Sequence, residues 1–131
     1  MKKENRIKPT GGETEILRIL WTQGPSTVRQ VNDLLGQNRD VGYTTTLKLM
    51  QIMFEKGILS RTKSGKTHTY APLLSEQEVQ QDLVDKLLDT AFEGSAMKLV
   101  MQALGSHHSS PEELDEIRKF LDQLEQKGGQ S

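Results

Sequence analysis

The spacing of apolar residues changes at Gly57, and that change limits the folds open to the chain. Before Gly57 the apolar positions recur every three or four residues, the rhythm that lines one side of an α-helix. Ile16, Leu17, Leu20 and Trp21 form one set, Val28, Val31, Leu34 and Leu35 a second, and Leu47, Met50, Met53 and Phe54 a third. After Gly57 the chain reads as two short extended segments, residues 58–63 and 66–71, on either side of Ser64-Gly65. Ser-Gly suits a tight turn, and Pro72, which lacks an amide hydrogen, cannot extend a ladder and closes the hairpin.

Local stop and start signals divide the helical part. Thr10-Gly-Gly-Glu13 has the capping-box spacing, in which a hydroxyl and a carboxylate satisfy each other's orphan amides. Gly24-Pro25 ends the first helix, Ser26 or Thr27 caps a second that stops near Gly36, and a polar loop from Gln37 to Asp40 follows. A third helix runs from about Tyr43 to Lys56, with Gly57 where a C-terminal cap glycine belongs. Three short helices and then a hairpin with a basic tip is the order of a winged helix-turn-helix. Helices two and three form the helix-turn-helix and the hairpin is the wing. The expected fold class is mainly α with a small β-hairpin wing.

The remainder reads as all-helical. Ser75-Glu-Gln-Glu78 is another capping box, opening a helix that carries Val79, Leu83, Leu87, Leu88 and Phe92 until Gly94 breaks it. Met97, Leu99, Val100, Ala103 and Leu104 form a short helix ending at Gly105. Ser110-Pro111-Glu112-Glu113 joins an N-cap, a first-turn proline and a capping glutamate, after which Leu114, Ile117, Phe120, Leu121 and Leu124 line one face. The organisation expected is a DNA-binding domain over residues 1–73 and a helical dimerisation domain over residues 74–131. Helices over so short a span bury too little surface to be comfortably stable alone. Packing their stripes against a second copy, as a two-fold homodimer, is the simplest remedy, and packing against the front half is the competing arrangement. On this reading the dimer residues are Leu83, Leu87, Leu88 and Phe92, then Leu99, Val100 and Leu104, then Ile117, Phe120, Leu121 and Leu124.

The formal net charge of −1 averages two opposite halves. Residues 1–72 hold twelve Lys or Arg against six Asp or Glu, for +6, and residues 73–131 hold five against twelve, for −7. A basic front and an acidic back suggest a polyanion-binding module joined to a part that avoids the polyanion. Cysteine is absent, which removes disulfides, thiolate metal sites and a cysteine nucleophile. No apolar run is long enough to span a bilayer, and none follows the basic residues Lys2, Lys3 and Arg6 as a secretory signal requires. A cytoplasmic protein without membrane insertion is expected.

A helix-turn-helix reads DNA with short polar side chains at the start of its second helix and neutralises phosphate with nearby Lys or Arg. Tyr43-Thr44-Thr45-Thr46 supplies three hydroxyls there, although Thr44 or Thr45 can equally cap the helix. Lys48 and Gln51 follow Thr45 at steps of three, and Lys suits guanine as Gln suits adenine. In the wing, Arg61 and Lys63 alternate and so share a face, with Lys66 and His68 on the returning segment. Arg39, in the loop before the third helix, and Arg29 are further phosphate candidates. Catalysis has no foothold: there is no GxGxxG, P-loop or GxSxG, and His107-His108 lies in a polar loop without ligand spacing. No enzyme, metal or cofactor is expected. A protein-interaction adaptor, docking a partner protein through the same fold, is the other function class compatible with these residues.

The stretch Gly42-Tyr43-Thr44-Thr45-Thr46 through Glu55-Lys56-Gly57-Ile58-Leu59, with Arg61 and Tyr70-Ala71-Pro72, resembles the penicillinase repressor family (BlaI/MecI-type). Glu13 through Ile19-Leu20-Trp21 is similar to that family's first helix, and the likeness extends through Met97-Lys98-Leu99-Val100 to the Glu112–Leu121 segment. The resemblance implies a homodimeric winged-helix repressor on a palindromic double-stranded DNA operator, with the C-terminal helices as the dimer unit. It also implies release through a membrane-sensor or protease pathway. This chain departs from the pattern in three places. Relatives often have a threonine near Lys48 and an arginine near Ile52. Staphylococcal members are cut at an Asn-Phe bond where this chain has Gln102-Ala103. The cysteine-rich tail of copper-responsive relatives is missing.

Overall fold

The computed structural model describes residues 8–129, so Lys2, Lys3 and Arg6 of the basic front lie outside the described residues. The element order is α1 (Gly11–Gln23), α2 (Val28–Leu35), α3 (Tyr43–Glu55), β1 (Leu59–Ser64), β2 (Thr67–Pro72), α4 (Glu76–Ala91), α5 (Ala96–Ser106) and α6 (Pro111–Gly129). The fold is mainly α with one antiparallel hairpin, as expected.

The helix starts follow from side-chain caps. Thr10 and Glu13 exchange both capping-box hydrogen bonds, as do Ser75 with Glu78 and Ser110 with Glu113. Of the two candidates before α2, Thr27 is the cap. It pairs with Gln30 in a box of its own, while the Ser26 hydroxyl donates instead to the Gly24 carbonyl. At the end of α3 the Gly57 amide donates to Phe54 and the Ile58 amide to Met53, and Gly57 adopts φ 83°. A side chain at 57 would be strained there, which is why glycine ends this helix. The turn after α3 thereby drops Ile58 into the core, fully buried.

The hairpin differs from expectation by one residue. Ser64 pairs with Thr67 and Leu59 with Pro72, so Gly65 and Lys66 form the two-residue turn and Lys66 leaves the strand. Gly65 has φ 63° and Lys66 does not share its positive φ, the pattern of a type II′ turn with glycine at the first of its two central positions. Pro72 remains opposite Leu59, and the pairing closes one step later, where the Leu73 amide donates to the Ile58 carbonyl at 2.8 Å. A third short segment joins this sheet: Ser26 and Tyr70 exchange two backbone hydrogen bonds, of 3.0 and 2.8 Å. That bridge fixes the wing to the start of α2.

Compactness divides the chain into Met1–Lys86 and Leu87–Ser131, inside α4. In the first unit Ile16, Leu17 and Leu20 of α1 pack with Val31 of α2, Met50 and Met53 of α3, and Leu59 and Tyr70 of the hairpin. This unit continues past residue 73. Val79 of α4 is buried in the same core, and the Trp21 indole nitrogen donates to the Leu74 carbonyl at 2.9 Å. In the second unit, two successive left-handed residues, Glu93 and Gly94, turn the chain from α4 into α5, where Ser95 caps the helix. α5 runs through Gly105 to Ser106, beyond its expected end. Among the described residues from 80 to 128, none is buried.

Candidate nucleic-acid interface

Helix α3 divides its side chains between an inward and an outward side. Thr46, Met50 and Met53 face inward and are buried, whereas Thr44, Thr45, Lys48 and Gln51 are exposed. The hydroxyls of Thr44 and Thr45 do not cap the helix: its N-cap is Gly42, which has no side chain to do so. The capping role therefore passes from these threonines, and both are left on the surface in the first turn.

Thr46 has the opposite fate. Its hydroxyl lies 2.6 Å from the Asn32 side-chain amide. In the amide orientation that satisfies every neighbour, Asn32 also donates to the carbonyls of Val41 at 3.1 Å and Gly42 at 3.3 Å. Asn32 on α2 thus holds both the first turn of α3 and the backbone leading into it. The angle between the two helices of the helix-turn-helix is set by this cluster as well as by apolar packing.

Two arginines lie over aromatic rings at the ends of α3. The Arg29 guanidinium stands 5.1 Å from the Tyr43 ring centroid, and the Arg61 guanidinium 4.0 Å from the Phe54 centroid. Both distances fall within cation–π range. In the sequence Phe54 reads as one of the apolar positions of the third helix and Arg29 as a minor phosphate candidate. Their pairings join different elements, and no local spacing signals them.

The hairpin register puts Arg61 opposite Tyr70 and Lys63 opposite His68. Paired residues share a face, so Arg61 and Lys63 stand together as expected, on the same side as buried Leu59 and Tyr70. A cleft of about 570 Å³ opens between this wing, the start of α2 and α3, and Arg29, Tyr43, Gln51, Lys66 and His68 line it. Its charged groups are all basic. Arg39 stands apart from this cluster: it forms a 2.8 Å ion pair with Glu15 of α1, so a carboxylate already neutralises it. Lys56, another basic residue of the front half, turns inward to Glu13 at 2.7 Å. The net charge of the front is therefore not evenly available. Among the described basic residues, Arg29, Lys48, Arg61, Lys63 and Lys66 lie on α2, α3 and the wing.

The expected dimer residues all remain accessible in the single chain. Leu83, Leu87, Val100, Leu104, Phe120, Leu121 and Leu124 are exposed, and Leu88, Phe92, Leu99 and Ile117 are exposed or half-buried. Met97 and Met101 extend the exposed apolar face of α5 and do not stand out in the sequence, because methionines at helical spacing read as filler. Among the described residues there is no group of three metal-ligating side chains, and no helix is long and apolar enough to cross a membrane. His107 and His108 lie at the end of α5, on the surface.

Comparison with known proteins accounts for the same span. The family model described as "Penicillinase repressor" matches residues 9–123. The chain is 30% identical over 115 residues to the transcriptional regulator BlaI of Mycobacterium tuberculosis, covering 86% of this chain and 82% of that protein. It is 22% identical to the penicillinase repressor of Bacillus licheniformis, over 94% of both chains. Among solved structures, a MarR family protein from Bacillus stearothermophilus superposes with a TM-score of 0.54 at 18% identity, covering 94% of this chain and 77% of that one. The likeness to that structure concerns the fold. The named relatives are regulators and repressors, not enzymes.

Proposed function

The chain belongs to the penicillinase repressor family of DNA-binding transcriptional repressors, and from that premise we propose that it acts as a homodimer on a palindromic operator. Thr44, Thr45, Lys48 and Gln51 approach base edges in the major groove, Tyr43 flanks them, and Arg61, Lys63 and Lys66 hold neighbouring phosphates. The observation that carries this reading is the outward face of α3, whose polar side chains are exposed beside a cleft that Arg29, Lys66 and His68 make basic, while Thr46, Met50 and Met53 anchor the helix from behind. Arg39 contributes less than the other basic residues, because leaving Glu15 offsets what it would gain from a phosphate.

The homodimer is supported by the second unit, which has exposed Leu, Val, Met and Phe side chains and no buried residue among those described. Two copies joined there present two α3 helices, as a palindrome requires. Release by a sensor-linked or proteolytic signal is the family's mode of induction. Here Gln102-Ala103 lies inside α5, so cutting that bond requires the helix to open first. A cytoplasmic location fits a protein whose partner is DNA.

Footprinting on DNA from upstream of the protein's own gene tests this. The expected result is a symmetric protected site occupied by two chains. Affinity should fall on the order of a thousandfold or more between about 50 and 200 mM salt for six to ten phosphate contacts. Absence of any protected site, with capture of a protein partner instead, would favour the adaptor function.

A further inference from the structure

We propose that Tyr43 and Phe54 are positioning residues, whose rings hold Arg29 and Arg61 so that one pre-oriented guanidinium stands at each end of the exposed face of α3, ready for a DNA phosphate. The proposal rests on the DNA-binding reading and adds to it how phosphate is met.

The geometry has three parts. Arg29 comes from α2 and lies over Tyr43 in the first turn of α3, at 5.1 Å. Arg61 comes from the wing and lies over Phe54 in the last turn, at 4.0 Å. Tyr43 and Phe54 are separated by about 16 Å along the helix axis, at roughly 1.5 Å per residue. Eleven residues are about three full helical turns, so the two rings lie on nearly the same side of α3, and the two arginines stand along one edge of a helix seated in the groove, each facing the sugar–phosphate backbone that borders it.

Long basic side chains ordinarily lose rotamer freedom when they pair with phosphate, and that loss subtracts from affinity. An arginine stacked on a ring has lost much of it before DNA arrives. Stacking uses the face of a guanidinium and leaves its edge nitrogens for phosphate. A lysine has no such face, so the device is specific to arginine.

The test is a pair of double-mutant cycles on the full chain, with a labelled mixed-sequence DNA duplex titrated at several salt concentrations. R29A should weaken binding and reduce the slope of log affinity against log salt by about 0.9 for each phosphate it no longer neutralises. Y43L should weaken binding about two- to fivefold with the slope unchanged, because the arginine still reaches its phosphate but is no longer held. Y43L combined with R29A should bind no worse than R29A alone, and Y43F should recover most of what Y43L loses. The F54L and R61A cycle should behave alike, with F54Y as the rescue. Tyr43 is 42% exposed, so its cycle stands even where F54L disturbs folding. Losses that add in the Tyr43–Arg29 cycle, or a Y43L protein that binds as the parent does, would overturn the proposal. A parent protein without salt-dependent duplex binding would instead overturn the DNA reading beneath it.

Discussion

The Lys56 ammonium lies 2.7 Å from Oε2 of Glu13, joining the residue that caps α3 to the first turn of α1 across a separation of 43 positions. The two sides of this pair are unequal. Glu13 is 2% exposed and also accepts the Thr10 amide, while Lys56 is 38% exposed.

That inequality sets the order of two substitutions. Removing Glu13 leaves a lysine that can turn to water, whereas removing Lys56 leaves a buried carboxylate whose hydrogen bond, among the described residues, comes from the Thr10 amide. Lys56→Met should destabilise the fold by about 2–3 kcal/mol, the cost of an under-satisfied buried charge. Glu13→Gln, which keeps the shape and a carbonyl acceptor for Thr10, should cost about 1 kcal/mol. Urea unfolding of the two variants compares them directly, and equal losses would mean that the carboxylate is better solvated than its burial implies.

Asn32 and Thr46 form the second polar contact between helices, and both are needed. Thr46→Val keeps the volume of a buried side chain but leaves the Asn32 amide short of a partner, for an expected loss of about 1–3 kcal/mol. Asn32→Ala removes the donor to two backbone carbonyls as well and should cost at least as much. The pair should be strongly non-additive, which a double-mutant cycle in denaturant measures.

Truncation should distinguish residue 72 from residue 86. A chain ending at 86 keeps Val79 in the core and the Leu74 carbonyl under Trp21, and it should be a cooperatively folding monomer. A chain ending at Pro72 loses both and should be less stable by about 2–4 kcal/mol, from one buried aliphatic side chain and one hydrogen bond. Thermal melts followed by circular dichroism separate the two.

Charges on the α6 face should separate the proposed homodimer without unfolding the chain. Phe120 and Leu124 are 57% and 48% exposed, so Phe120→Asp with Leu124→Asp removes little from the single chain. Sedimentation should then give a monomer. Operator affinity should fall by about a hundredfold or more, because the two half-sites are no longer linked. A double variant that still sediments as a dimer would place the subunit contact elsewhere.

What is legible in the sequence is whatever is encoded within a few residues. Thr10 with Glu13, Ser75 with Glu78 and Ser110 with Glu113 are caps of spacing three, and each forms as expected. Gly57 marks a helix end because only its own backbone conformation is at stake. The Gln30 cap escapes notice because glutamine is the less conspicuous form of the box. Relations between distant positions leave no such trace. Ser26 gives no sign in sequence that Tyr70 will take its backbone bonds, and Arg39 gives none that Glu15 will hold it. The turn at Gly65-Lys66 differs by one residue from its expected place because a Ser-Gly pair and a Gly-Lys pair are both acceptable turn sequences. The backbone decides between them, because the positive φ of Gly65 suits glycine at the first of the two turn positions.

Trp21 is the single tryptophan of the chain, and its indole nitrogen is tied to Leu74, the last link before α4 leaves the hairpin. The molecule therefore carries a native optical probe at the joint between the winged core and the start of α4. Its emission should shift whenever that joint loosens, whether by heat, by truncation or by an inducing signal transmitted along α4. No label need be attached to watch it.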